Sequence, residues 1–281
     1  IVLAEKAQHR LASLVNAKLL IQNKKPEEAQ PVLERLTKDF PRWGEPHYYK
    51  GVAHLSKGEI EQSFTAASKA LELAPNSADA HSLVAHHMFL KREFESARNE
   101  AETALKQDPG NLRAALILGK AYLSLGEAQK AADLFEQMAR HMPKNLEVRY
   151  NQALAYAGLG ETEKAAETFE KALDVNPGFT PAMMALSNIA VQQEKPDQAI
   201  ERVRQQIEKS PDNADYLILL AYLLDKHGDS PEEALEYLRE AREIAPDTPR
   251  IYTMAADILV RLGQTDEAIK EYRELTEKQS G

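Results

Sequence analysis

Apolar positions along this chain recur at steps of three and four, stop, and start again. In residues 112–126, Leu116, Leu118, Ala121, Tyr122 and Leu125 share one helical face, and Gly126 breaks the run in a Leu-Gly-Glu turn. A second run, Ala128, Ala131, Ala132, Phe135 and Met138, ends before Pro143, because proline cannot continue a helix. The same phrase then returns: "LILGKAYLSLGEAQKAADLF" at 116–135 becomes "YNQALAYAGLGETEKAAETF" at 150–169. Each stretch of this length predicts two amphipathic helices joined by a tight turn.

Prolines fix the period. Pro41, Pro75, Pro109, Pro143, Pro177 and Pro211 are each 34 residues apart, and Pro246 follows after 35. Counting back from them, units begin at Arg10, Gly44, Ala78, Leu112, Leu146, Thr180, Ala214 and Pro249, with residues 1–9 as a lead-in helix. The seventh unit carries one extra residue around Lys226–Ser230, which predicts a longer turn there. In "NKKPEEA" and "GDSPEEA", Pro26 and Pro231 stand where a helix's first turn has no use for an N–H, with carboxylates at the positive helix end.

Two places in the unit admit only small residues. The eighth holds Ala17, Gly51, Ala85, Gly119, Ala153, Ser187, Ala221 and Ala256. The twentieth holds Ala29, Ser63, Ala97, Ala131, Ala165 and Ala199, then, one residue later, Ala234, and finally Ala268. Glycine inside a helix costs about 1 kcal/mol against alanine, so two backbones must cross closely where it is kept.

With this period, these small residues, Tyr122 and Tyr156 in the first helix, and Phe135 and Phe169 in the second, the chain resembles the tetratricopeptide repeat (TPR) family from residue 10 to 281. The resemblance implies an all-α, right-handed α-solenoid of about eight 34-residue helix–turn–helix repeats, one array over residues 1–281. It departs from the family where His47, His81, Ala115 or Arg149 replaces an early large aromatic.

The resemblance also implies that the second, fifth, ninth and twelfth places of each first helix face an inner groove. Those places hold Tyr48, Val52 and Leu55; His86 and Phe89; Arg113, Leu116, Lys120 and Leu123; Tyr150 and Leu154; Asn188; and Tyr222. A shared strip of aromatic and aliphatic residues marks a binding surface. Tyr48, Phe89, Tyr150 and Tyr222 are the candidate anchors, and Arg113 with Lys120 a basic spot for a peptide carboxylate. The lysine–asparagine–arginine set with which some TPR domains grip chaperone tails is not in register, although Asn151 and Asn188 are present.

Composition narrows the chemistry. A net charge of −9 argues against nucleic-acid binding, and no apolar run reaches the length of a membrane span. The absence of cysteine excludes disulfides, thiolate metal sites and cysteine nucleophiles. No phosphate loop, His-Glu-x-x-His or Gly-x-Ser-x-Gly is present, so neither catalysis nor a cofactor is expected. His47, His54, His81, His86 and His87 crowd the second and third units, where they read as parts of a semi-polar core rather than as a zinc site.

The expected function is a non-catalytic scaffold holding an extended peptide or helix of a protein partner. The chain begins without methionine, shows no targeting signal and offers no polar cap at either end, so it reads as a segment of a longer, bacterial protein. Its sixth and seventh units resemble the large TPR lipoproteins of exopolysaccharide and exosortase systems, which would place it at the cell envelope. The alternatives are a regulatory or substrate-recruiting arm of a larger enzyme, and self-association through uncapped end repeats.

Overall fold

The computed structural model describes residues 2–279, with side chains described from 9 to 278. They form sixteen helices and, among the described residues, no strand. In chain order these are α1 (Val2–Gln22), α2 (Pro26–Asp39), α3 (Gly44–Ser56), α4 (Ile60–Leu73), α5 (Ala78–Leu90), α6 (Phe94–Gln107), α7 (Leu112–Ser124) and α8 (Ala128–His141). There follow α9 (Leu146–Gly158), α10 (Thr162–Val175), α11 (Thr180–Gln192), α12 (Pro196–Lys209), α13 (Ala214–His227), α14 (Pro231–Ile244), α15 (Pro249–Arg261) and α16 (Thr265–Gln279). Packing divides the chain into two compact units, residues 1–138 and 139–281.

Local chemistry sets the helix ends. Two residues after Pro75, Pro109, Pro143 and Pro211 stand Ser77, Asn111, Asn145 and Asn213. Their side chains accept from the backbone N–H of Ala80, Ala114, Val148 and Asp215 at 3.0–3.3 Å. Each thereby satisfies a donor that the helix start leaves orphaned. Within each pair the turn needs one residue in the left-handed region. Gly126 fills it between α7 and α8 at φ 76°, while Lys24, Arg92 and Glu194 fill the same place without glycine. The extra residue of the seventh unit lengthens α13 to fourteen residues and moves the left-handed place to Asp229.

Helices pair as α1 with α2, α3 with α4, and onward, and each second helix packs on the first helix of the next pair within its unit. All the small residues at the eighth and twentieth places are buried. The fit is tight: a Cβ on Gly51 would lie 2.8 Å from Leu83 Cδ2, and one on Gly119 would lie 2.3 Å from Cζ of the fully buried Phe135. In residues 139–281 the core is one cluster running from Ala153 to Ala268. In residues 1–138 it comes in separate clusters, around Leu14 and Leu33, around Tyr48 and Leu83, and around Ala97 and Ile117.

Gly119→Ala is therefore expected to destabilise the fold by about 1–2 kcal/mol, the overpacking against Phe135 outweighing a gain of about 1 kcal/mol in helix propensity. Adding Phe135→Leu should recover most of the loss, since Leu33 and Leu238 hold the equivalent place of their units in the same core clusters as Ala17 and Ala221. Urea midpoints of the three proteins check both statements. Unchanged stability in the single variant would contradict the close crossing.

Candidate functional site

In residues 1–138 the first helices α1, α3, α5 and α7 touch in succession, while their second helices approach each other less closely. The first helices therefore form the inner side of the bend. Within residues 139–281, α11 and α13 touch in the same way.

The fifth place of these helices points into packing more than into open space. Tyr48 is only 8% exposed, with its ring 4.9 Å from that of Tyr49. Its hydroxyl accepts from Arg113 Nη1 at 3.0 Å, and the guanidinium lies 6.0 Å from the ring centroid. Arg113, on α7, thus reaches past α5 to α3. Burial pushes the Tyr48 phenol above its ordinary value. Beside this bridge, Asn111 Nδ2 donates to Asp79 Oδ1 at 3.1 Å. Tyr150 packs its ring 5.7 Å from Phe169 and 5.1 Å from Phe179. Tyr48 and Tyr150 thus each take part in contacts within the array, and Arg113 is hydrogen-bonded to Tyr48.

The ninth and twelfth places are more open. Val52, Leu55, His86, Phe89, Lys120 and Leu123 are half-buried on α3, α5 and α7, as is Leu116 at a fifth place, and the Phe89 ring lies 5.4 Å from Phe94. In residues 139–281, Leu154 is half-buried and Asn188 exposed. Helix α13 is buried on almost every side, from Tyr216 to Leu224, and Tyr222 is the one exposed residue in that stretch, at 38%. At inward places of α11 and α15, Met184 and Val260 are also exposed. Asp225 lies one turn along α13 from Tyr222 and is ion-paired to Arg261 of α15 and, at 3.0 Å, to Lys226. Burial opposes its charge, but hydrogen bonds from Arg261 and Lys226 outweigh burial and hold the carboxyl below its ordinary value. Arg261 is not at an inward place by spacing, and only its length brings it there.

The histidines do not converge. His54 Nδ1 meets Glu59 at 2.5 Å, and His81 lies between Glu100 at 2.6 Å and the Pro75 carbonyl at 2.9 Å. His47 is half-buried, and burial, then Lys50 and Lys69, lower its pKa. Among the described residues no three His, Asp or Glu side chains are placed to share a metal ion. His87 is fully buried, with Nε2 2.9 Å from the Ser63 hydroxyl, which itself donates to the Gly51 carbonyl at 2.7 Å. The Ser63 oxygen must then accept from the ring, which fixes His87 as the neutral Nε2–H tautomer and leaves Nδ1 without a partner. Burial, then His86 and Lys91, push its pKa down to about 4.

Tetratricopeptide repeat models match the chain over residues 14–78 and 91–145, and over 122–189, 156–223 and 229–281. No curated protein matches it significantly. Among solved structures, it is similar to a chain of the APC/C hetero-tetramer Cut9–Hcn1, at 18% identity and a TM-score of 0.63, over 88% of this chain and 48% of that one. The chain thus spans about half the length of that relative. A tetratricopeptide repeat protein from Parabacteroides merdae is similar at 15% identity and a TM-score of 0.63, over 90% of this chain and 99% of that one. YrrB, described as a TPR protein with an unusual peptide-binding site, is similar at 20% identity and a TM-score of 0.53, over 66% of this chain and 95% of its own. At such identities the likeness is one of fold. Among the described residues no helix is long and apolar enough to cross a membrane.

The state of His87 has a consequence for stability. Between about pH 6.5 and 4 the unfolded chain binds a proton there that the folded chain refuses, so stability falls as pH falls through that window. The slope is about 1.4 kcal/mol per pH unit, and the loss reaches about 3 kcal/mol before levelling off below pH 4. His87→Gln keeps an N–H donor for Ser63 and should flatten this slope in urea midpoints measured against pH. An undiminished slope in that variant would assign it to another group.

Proposed function

The chain belongs to the tetratricopeptide repeat family, and on that premise we propose that it is a non-catalytic scaffold whose first helices hold an extended peptide or a helix of a partner protein. The observation that carries this reading is the exposure of Tyr222 in the stretch of α13 from Tyr216 to Leu224 that is otherwise buried. A large ring exposed to water one turn from the Asp225–Arg261 pair, with Met184 and Val260 also exposed at inward places, is the kind of apolar surface with a polar edge that marks a docking site. Within residues 1–138, Phe89, Leu116 and Leu123 with Val52 and Leu55 offer a second apolar strip, bordered by His86 and Lys120. The Arg113–Tyr48 bridge keeps a cation at its edge, where a peptide carboxylate would find it. The fold shared with YrrB, a TPR protein with a peptide-binding site, is in keeping with this use.

A library of random peptides displayed on phage, panned on the intact chain, tests the reading. Tyr48 and Tyr150 stay in place because their rings support the repeats. Selected peptides should lose about thirtyfold or more in affinity with Tyr222→Ala or with Phe89→Ala, the loss typical of a buried aromatic anchor. Helicity should be unchanged, and the convex variant Lys171→Ala should bind as the parent does. Peptides indifferent to both aromatic substitutions would move recognition off the inner face.

A further inference from the structure

The fourth, seventh and eleventh places of each first helix lie on the side turned away from the inward places. In the last two repeats they hold Leu217, Leu220 and Leu224, then Tyr252, Ala255 and Leu259, all buried. In α3 the same row is His47, Lys50 and His54. It lines a groove of about 670 Å³, with Gln30 of α2 on one side and Gln62, Ala66 and Lys69 of α4 on the other. The next repeat again has histidine at its fourth place, and there His81 Nδ1 donates to Glu100 Oε2, from the twenty-third place, at 2.6 Å. In α4 the twenty-third place is Ala66. Its methyl group leaves open the space that the Glu100 side chain takes one repeat on. Among the described residues neither His47 nor Lys50, both half-buried, has a hydrogen-bond or ion-pair partner.

We infer that this outer groove is a docking site for an acidic peptide segment of a partner protein, and that a Glu or Asp carboxylate of that segment takes beside His47 the position that the chain's own Glu100 takes beside His81. Charge favours an anion: Lys50, Lys69 and two imidazoles line the groove, and Glu61 is the one carboxylate among the lining residues. His54 is already held by Glu59. Lys69 pairs with Glu72 at 2.6 Å, but their side chains are 43% and 66% exposed, and a pair so wetted exchanges partners at little cost. Burial, then Lys50 and Lys69, keep His47 below its ordinary pKa, with Glu72 opposing, so near neutral pH it offers an N–H and the lysines supply the charge. The groove is far larger than one carboxylate needs, and Ala66 with the stems of the two lysines gives the side chain that carries it an apolar wall. The site lies across α3 from Val52 and Leu55 and does not rest on the inner groove.

Ala66→Glu tests this by giving α4 the carboxylate that Glu100 gives α6, so that the chain fills its own site. Its thermal midpoint should stand above that of Ala66→Gln, which has the same bulk without the charge. A random peptide library displayed on phage is then panned on the intact chain and depleted on Ala66→Glu. The surviving peptides should share an Asp or Glu. They should lose about tenfold or more in affinity when that residue becomes Asn or Gln, or when Lys50→Met removes the cation and keeps its stem. Phe89→Ala and Tyr222→Ala, which probe the inner face, should leave their binding unchanged. Should the added bulk unfold both Ala66 variants, depletion on Lys50→Met gives the same reading. A midpoint for Ala66→Glu no higher than for Ala66→Gln overturns the inference. So does a library with no peptide that separates parent from variant, or survivors without a shared acid. Survivors displaced by millimolar acetate overturn it too, by showing a site for small anions instead.

Discussion

Everything in this fold depends on how closely two helix backbones can approach. Where Gly51 meets Ser63, or Gly119 meets Phe135, there is no room for another carbon without displacing a neighbour. That approach lets the Ser63 hydroxyl reach the Gly51 carbonyl and, on its other side, the buried His87 ring. Two helices and the last turn of a third are thus tied at one oxygen. Propensity alone would have put alanine or leucine at these places. The chain accepts weaker local helix formers to gain contact along the whole pair, and close-packed interiors reward that exchange because dispersion contacts accumulate with proximity.

The same closeness explains why no pair suffices alone. Two helices that meet through small side chains bury those side chains and little else, and their larger apolar residues are left facing outward. The next pair must cover them. Polar groups follow the same logic across the joints. Gln206 Nε2 and the Tyr216 hydroxyl both donate to the Pro177 carbonyl at 2.6 Å. Arg204 of α12 reaches Glu233 of α14, and Arg242 of α14 reaches Glu271 of α16. Burial drives the Tyr216 phenol up to about 12, so it remains a donor at any ordinary pH.

The fold was largely legible in the sequence because its determinants are periodic. Proline spacing, the small-residue places and the turn chemistry each act within one unit, and a unit is short enough to read. The binding face was less legible. Its register could be counted, but exposure could not, because it depends on neighbours one or two units away. Nothing in the repeat spacing told that Arg113, 65 residues on, hydrogen-bonds Tyr48. Asp225 finds Arg261 across 36 residues, at a place the repeat register does not point inward. The histidines share helices and even unit places, yet His54, His81 and His87 take different carboxylate, carbonyl or hydroxyl partners. Long side chains choose partners by reach, and reach is not written in spacing.

The uneven core has a last consequence, in how the two units come apart. In residues 139–281, α13 is wrapped on nearly all sides and ties Ala153 to Ala268 in one apolar body. A repeat there cannot loosen without uncovering Leu217, Leu220 and Leu224, so opening is shared across the unit. In residues 1–138 the apolar contacts are gathered in smaller clusters, each centred on one or two pairs. Linear arrays with local contacts open stepwise, and their separate segments have separate opening free energies. Opening is therefore expected to be shared across residues 139–281 and to proceed pair by pair in residues 1–138.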